Sequence, residues 1–175
     1  MNKQIILDNL RCIPDFPKKG INVRDVTTLY KNAECMKAMT DDLYELYKDK
    51  GITKIVGIES RGFVMAAALA VRLGAGVVLA RKPGKLPATV IKESFSKEYG
   101  VDTVELHIDA INENDVVLIH DDLLATGGTA MATYKLVQHF HPKKTYINFI
   151  IEITDEGLHG RDIFKGIDLT TLVTI

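Results

Sequence analysis

The sequence predicts an α/β fold: a central, mostly parallel β-sheet flanked by helices. Three observations carry this. Short apolar runs with β-branched residues occur at Ile55-Val56-Gly57-Ile58, Gly76 to Ala80, Val116-Val117-Leu118-Ile119 and Thr145 to Ile153, as in strands buried on both faces. Stretches of helical length and composition lie between them, and glycines or charged turn residues mark the junctions. Strand, helix and parallel strand in succession make βαβ units, with helices on both faces of the sheet.

Each element follows in order. Met1 to Leu10 reads as a short amphipathic helix, and Pro14, Pro17 and Gly20 then forbid regular structure in a loop. Asn32 to Lys50 places Met36, Met39, Leu43, Leu46 and Tyr47 near helical spacing, with Gly51 as terminator. The strand Ile55 to Ile58, the alanine-rich helix Arg61 to Leu73 ended by Gly74, and the strand Gly76 to Ala80 form one βαβ unit. A second runs from Asp115 through a helix ending near Phe140 to the strand Thr145 to Ile153. Between the units, Arg81 to Glu113 is rich in charge and turn residues and holds no strong helix. A connection of that length is expected to be functional or mobile. Asp162 to Ile175 offers a last strand and no site.

At 175 residues the chain suits one sizeable core and is short for two, and no linker, repeat or low-complexity tract divides it. A single domain, 1–175, is expected. The formal charge of -1 provides no global basic field for nucleic acid. No apolar run reaches the roughly 18 residues of a membrane-spanning helix, and the amino-terminal stretch lacks the order of a secretory signal, so a soluble cytoplasmic protein is expected. Cys12 and Cys35 stand apart without a CxxC pair, and His139-Phe140-His141 has no third ligand nearby, which predicts reduced thiols and no metal cluster.

The chemistry concentrates at three strand ends. Asp121-Asp122-Leu123-Leu124-Ala125-Thr126-Gly127-Gly128-Thr129 follows a buried strand and opens a helix. Its glycines allow an anion close to the backbone, and the first helical amides have no internal partner and sit at the positive end of the dipole. Two adjacent carboxylates would repel a bare phosphate, so they suit vicinal hydroxyls or a magnesium-bearing part of the same ligand. Phosphate on the turn and a diol on the acids describe a ribose phosphate. Glu59-Ser60-Arg61-Gly62 ends another strand, where amides and a guanidinium suit pyrophosphate; Ser60 as an ordinary helix cap and Arg61 as a solvated residue is the competing reading. Arg81-Lys82-Pro83-Gly84-Lys85-Leu86-Pro87 ends a third with cations around a Pro-Gly turn. Inside the long connection, Ser94 to Gly100 has the aromatic, hydroxyl and glycine content of a lid, with Glu98 as its candidate acid.

Taken with Pro14-Asp15-Phe16-Pro17 and Arg24-Asp25-Val26, these segments resemble the adenine branch of the type I phosphoribosyltransferases, from about Cys12 to Arg161. The diacid followed by Thr-Gly-Gly-Thr marks the superfamily, and Lys85-Leu86-Pro87 with Glu98-Tyr99-Gly100 marks the adenine branch. The resemblance implies a small N-terminal hood over 1–31, a flexible lid loop over 88–107, and transfer of ribose 5-phosphate from phosphoribosyl pyrophosphate to N9 of adenine. It places the 5-phosphate on Ala125, Thr126, Gly127, Gly128 and Thr129, the ribose hydroxyls on Asp121 and Asp122, and the pyrophosphate on Ser60, Arg61, Arg81 and Lys85. Glu98 is matched to the proton carrier at the base, Tyr99 to the lid, and Val23 and Arg24 to adenine. Magnesium is the implied cofactor, carried by pyrophosphate and ribose hydroxyls rather than by protein ligands, and a homodimer is the implied assembly. Two positions depart from the family: Val23 stands where a stacking Phe is frequent, and His120 where an apolar residue is usual. His120 either points into the core, where it needs a partner, or adds a donor to the ligand. The rival readings are a phosphoribosyltransferase for another base and a ligand-sensing regulator on the same fold.

Overall fold

The computed structural model describes residues 2–16, 18–96 and 100–175. Glu98 and Tyr99 lie outside the described residues. The chain begins with helix α1 (Lys3–Asn9), strands β1 (Arg11–Ile13) and β2 (Val23–Asp25), and the single turn α2 (Thr27–Tyr30). The Asn32 side chain then accepts from the amides of Glu34 and Cys35 and so starts α3 (Ala33–Tyr47). Strand β3 (Lys54–Ile58), helix α4 (Gly62–Leu73) and strand β4 (Gly76–Ala80) follow, with Gly74 in the left-handed conformation (φ +69°) that ends α4. The second unit is β7 (Val116–Leu124), α5 (Gly128–Gln138) and β8 (Lys144–Glu152), preceded by β5 (Val90–Ser96) and β6 (Val101–His107). Two 3-10 turns, Asp155–Gly157 and Gly160–Phe164, lead to β9 (Leu169–Thr174).

Five strands form one parallel sheet in the order β4-β3-β7-β8-β9. On one face Ile6, Leu29, Met39, Leu43, Met65 and Leu69 from the first four helices pack on Leu118, Ile150 and Leu172. On the other, Ala130, Leu136 and Val137 of α5 meet Val117, Ile119, Ile147 and Phe149. The βαβ units therefore stand as the apolar periodicity predicts.

The connection Arg81 to Glu113 differs from expectation. It contains an antiparallel hairpin, β5 with β6, in continuous register from Val90 opposite His107 to Ser96 opposite Val101. The physical reason is a period of two: Val104 and Leu106 enter the core beside α5, and Ile91 and Phe95 pack partly against the same cluster. Lys92, Ser94 and Ser96 alternate with them and are exposed, and the acids Glu93 on the inner face and buried Glu105 break the apolar pattern, which hides that alternation in the sequence. The Pro-rich amino-terminal loop is likewise flanked by a short hairpin, with Arg11 opposite Asp25 and Ile13 opposite Val23. Strand β7 also runs on through Asp121 and Asp122, so the acids belong to the strand and only Ala125 to Gly127 form the turn.

Candidate active site

The strand order reverses between β3 and β7, and in an open α/β sheet the crevice beyond the carboxyl ends of such strands is where ligands bind. The ladder joining these strands ends at Gly57 opposite His120. Beyond it the chains part, β3 into Glu59-Ser60-Arg61 and β7 into the diacid and the glycine turn. The gap is a cleft of about 330 Å³ lined by Glu59, Ser60, Arg61, Lys82, Asp121 and Asp122. A second cavity of about 150 Å³ lies against Ala125 to Ala130, and Asp121 lines both. The three strand-end motifs thus converge.

The turn before α5 depends on glycine for two reasons. Gly127 has φ +80°, and a Cβ there would fall 2.8 Å from the Phe164 ring and 3.1 Å from the Gly160 carbonyl. Helix α5 carries no side-chain cap, so its first amides remain for an anion at the positive end of the helix dipole. Phe95 of β5 closes over this turn, near enough that a Cβ on Gly128 would sit 3.1 Å from its ring. Phe95 also lines a third cavity of about 130 Å³, with Arg81, Lys82 and Thr129.

Asp122 is buried, and Arg61 Nε lies 2.5 Å from its Oδ2. Asp121 faces the cavities, and its carboxyl is pushed well above the usual carboxylate range, first by burial and then by the charge of Asp122. Each neighbour has a distinct part: the Asp122 amide donates to Asp121 Oδ1 (2.9 Å), and the Tyr30 hydroxyl donates to the Arg61 carbonyl (3.3 Å). The Tyr30 phenol is pushed up by burial and then by both carboxylates. Gly62 lets α4 approach β7 closely, since a Cβ there would be 2.7 Å from the His120 carbonyl and 3.0 Å from Asp121 Oδ1.

The cationic turn after β4 is organised differently from expectation. Arg81 reaches Glu59 through Nε (3.2 Å) and Nη2 (3.4 Å) and donates from Nη1 to the Lys85 carbonyl (3.1 Å), so its charge is matched within the protein. The Lys82 amide donates to Glu59 (2.8 Å), the leading cause that holds this carboxyl below its ordinary value. Lys82 lines the cleft, whereas Lys85 is exposed and lines none of the cavities described above. Among the sequence candidates Ser60, Arg61, Asp121, Asp122 and Ala125 to Thr129 come together. Glu59 and Lys82 stand within the strand-end motifs read from the sequence but without a role of their own there, and Tyr30 stands in none; the signal for the first two was position, within two residues of a strand end.

Arg24 forms an ion pair with Asp155, which ties β2 to the turn after β8, and it also donates to Cys12 Sγ. Val23 is half-buried opposite Ile13. Neither Val23 nor Arg24 lines the cavities described above. His120 resolves toward the core: it is fully buried, its Nδ1 lies 2.9 Å from Asn148 Oδ1, and burial pushes the imidazole down to about 4. Among the described residues no group of three or more His, Cys, Asp or Glu side chains could hold a metal ion, and no helix is long and apolar enough to cross a membrane.

The sequence matches the phosphoribosyl transferase domain family over residues 25–157, a span that contains every residue of the cleft. The chain belongs to that family. Its branch is that of the adenine phosphoribosyltransferases: it is 62% identical over 176 residues to the adenine phosphoribosyltransferase of Phocaeicola vulgatus, with all of both chains covered. The Giardia lamblia adenine phosphoribosyltransferase, solved with 9-deazaadenine, superposes with a TM-score of 0.92 at 39% identity, covering 100% of this chain and 98% of that one. The Trypanosoma brucei enzyme, solved with AMP, pyrophosphate and ribose-5-phosphate, gives a TM-score of 0.85 at 26% identity, covering 98% of this chain and 79% of that one.

Proposed function

We propose that the protein serves purine salvage, transferring ribose 5-phosphate from phosphoribosyl pyrophosphate to N9 of adenine and giving AMP and pyrophosphate. The observation that carries this is the cleft between β3 and β7, where the Arg61 guanidinium meets the carboxylate pair and Asp121 adjoins the cavity at the uncapped start of α5. The ligands of the Giardia and Trypanosoma relatives support the same substrate class.

The C1–O bond to pyrophosphate breaks, the C1–N9 bond forms, and N9 gives up its proton. The anomeric carbon passes through an oxocarbenium-like state, as in glycoside chemistry. The amides from Thr126 to Thr129 hold the 5-phosphate, and Asp121 and Asp122 hold the ribose hydroxyls. Arg61 and Lys82, with Ser60, take the departing pyrophosphate, while Arg81 shapes their turn through Glu59. Hard cations prefer oxygen ligands, and the pair Asp121 and Asp122 fits magnesium only together with oxygens from the substrate. When bound, magnesium neutralises charge on the leaving group. The hairpin β5–β6 acts as the lid, and Glu98 carries the proton at the base. We place the protein in the cytoplasm and read it as a homodimer, the assembly being supported by exposed Val64 and Val71 on α4 and exposed Val77 and Leu79 on the edge strand β4.

The test supplies magnesium, phosphoribosyl pyrophosphate and each purine base, and measures nucleotide formed. AMP from adenine is expected; turnover of hypoxanthine or guanine instead of adenine would overturn the substrate, and no turnover of any base would favour a regulator. Glu98→Ala should lower kcat by about 10²- to 10⁴-fold while leaving affinity for phosphoribosyl pyrophosphate nearly intact.

A further inference from the structure

A line of buried hydrogen bonds crosses the sheet directly beneath the cleft. Gly57, His120, Asn148 and Thr170 are register neighbours on β3, β7, β8 and β9. Asn148 Nδ2 donates to Thr170 Oγ1 (2.9 Å) and to the Thr170 carbonyl (3.3 Å), and Thr170 Oγ1 lies 2.6 Å from the Tyr47 hydroxyl in α3. This orientation leaves Asn148 Oδ1 as the acceptor facing His120, so Nδ1 carries the imidazole proton. His120 Nε2 is then a bare lone pair, buried without a hydrogen-bond partner in the protein. An unpaired buried acceptor is unfavourable, and the bond to Asn148 offsets that cost only in part, so packing alone supplies no strong reason for a histidine here.

Position gives one. Pairing between β3 and β7 ends at His120, and from Asp121 onward β7 is held laterally by β8 alone. The carbonyl of His120 also abuts Gly62 at the start of α4. A small shift at residue 120 therefore reaches both carboxylates and the Arg61 turn together. We infer that His120 is a positioning residue for the transfer reaction: its bond to Asn148 anchors β7 where the diacid leaves the sheet and keeps Asp121 on the cleft and Asp122 on Arg61.

This inference rests on the proposed phosphoribosyl transfer, so adenine turnover by the unsubstituted chain is measured first. If that chain forms no AMP, the proposed function fails and not the role of His120. With turnover established, His120→Leu removes the donor to Asn148, and His120→Asn restores it, because its amide nitrogen occupies the place of Nδ1. His120→Leu should lower kcat about tenfold, the order expected for a sub-ångström displacement of reacting groups, with KM for adenine little changed. His120→Asn should return kcat to within about threefold of the unsubstituted value at the same temperature. Equal kcat in all three proteins would overturn the inference, as would equal loss in both variants or loss that tracks their melting temperatures. Should His120→Leu fail to fold, Thr170→Val cuts the row farther away. A lower kcat with unchanged KM for adenine is then expected, and an unchanged kcat would overturn the inference.

Discussion

Replacing Gly62 by alanine probes the contact that brings the two turns of the cleft together. The added Cβ would stand 2.7 Å from the His120 carbonyl oxygen, 3.0 Å from Asp121 Oδ1 and 3.2 Å from Asp121 Cα. Two of these neighbours are backbone, so a side-chain rotation cannot relieve the overlap. A carbon–oxygen contact of ordinary length requires α4 and β7 to part by about 0.6 Å. Overpacking of this kind costs about 1–3 kcal/mol, or roughly 2–12 °C in melting temperature for a domain of this size. The same displacement separates Arg61 from Asp122 and moves Asp121, so kcat/KM for phosphoribosyl pyrophosphate should fall about 10- to 100-fold. Gly76→Ala serves as the control, because its Cβ would meet the flexible end of Lys54 at 3.4 Å and the Thr53 carbonyl only at 3.9 Å. Steady-state AMP formation and thermal melting of both variants decide the matter. Gly62→Ala with the melting temperature and kcat/KM of the unsubstituted protein would refute the reasoning.

Other expectations follow from the cleft. Lys82→Ala should raise KM for phosphoribosyl pyrophosphate by about 10-fold or more and Lys85→Ala by less than about threefold, since only Lys82 lines the cleft; the reverse order would restore the sequence-based assignment. Asp121 has a raised carboxyl pKa, so its ionisation costs stability above the unfolded value near 3.8 and costs most above the folded value. Asp121→Asn should therefore melt higher than the unsubstituted protein at pH 8, with the gap closing toward pH 4, while turnover drops about 10- to 100-fold. His120 carries the opposite sign: its folded pKa of about 4 lies below the ordinary 6.5, so its contribution is complete above 6.5 and is lost as pH falls toward 4. Denaturant titrations should show roughly 3 kcal/mol of acid-dependent loss from this group, absent in His120→Asn; an identical pH profile in that variant would contradict the assignment.

Much of the fold was legible because buried parallel strands are written as short apolar runs and their helices as alanine- or leucine-rich stretches. Gly74 ends its helix because the lack of a Cβ permits the left-handed conformation, and Asn32 starts one because its side chain accepts from the first helical amides. The hairpin from Val90 to His107 escaped because its alternation is half-buried and diluted by charge. The glycine turn and the diacid at the end of β7 were legible as a local motif, because they occupy consecutive residues. The pairing of Arg81 with Glu59 was not, because it joins the ends of two strands that are neighbours only in the sheet. His120 shows the same limit. Its partner Asn148 is 28 residues away, and only the register of β7 with β8 brings them together.

One phosphoribosyl pyrophosphate molecule is expected to span the cleft between β3 and β7 and the adjoining cavity at the glycine turn. A crystal structure of the protein with that ligand and magnesium tests it directly. The 5-phosphate is expected on the amides of Thr126 to Thr129, the ribose hydroxyls on Asp121 and Asp122, and the pyrophosphate between Arg61 and Lys82. A ligand bound elsewhere, or one whose pyrophosphate occupies the glycine turn, would contradict the account.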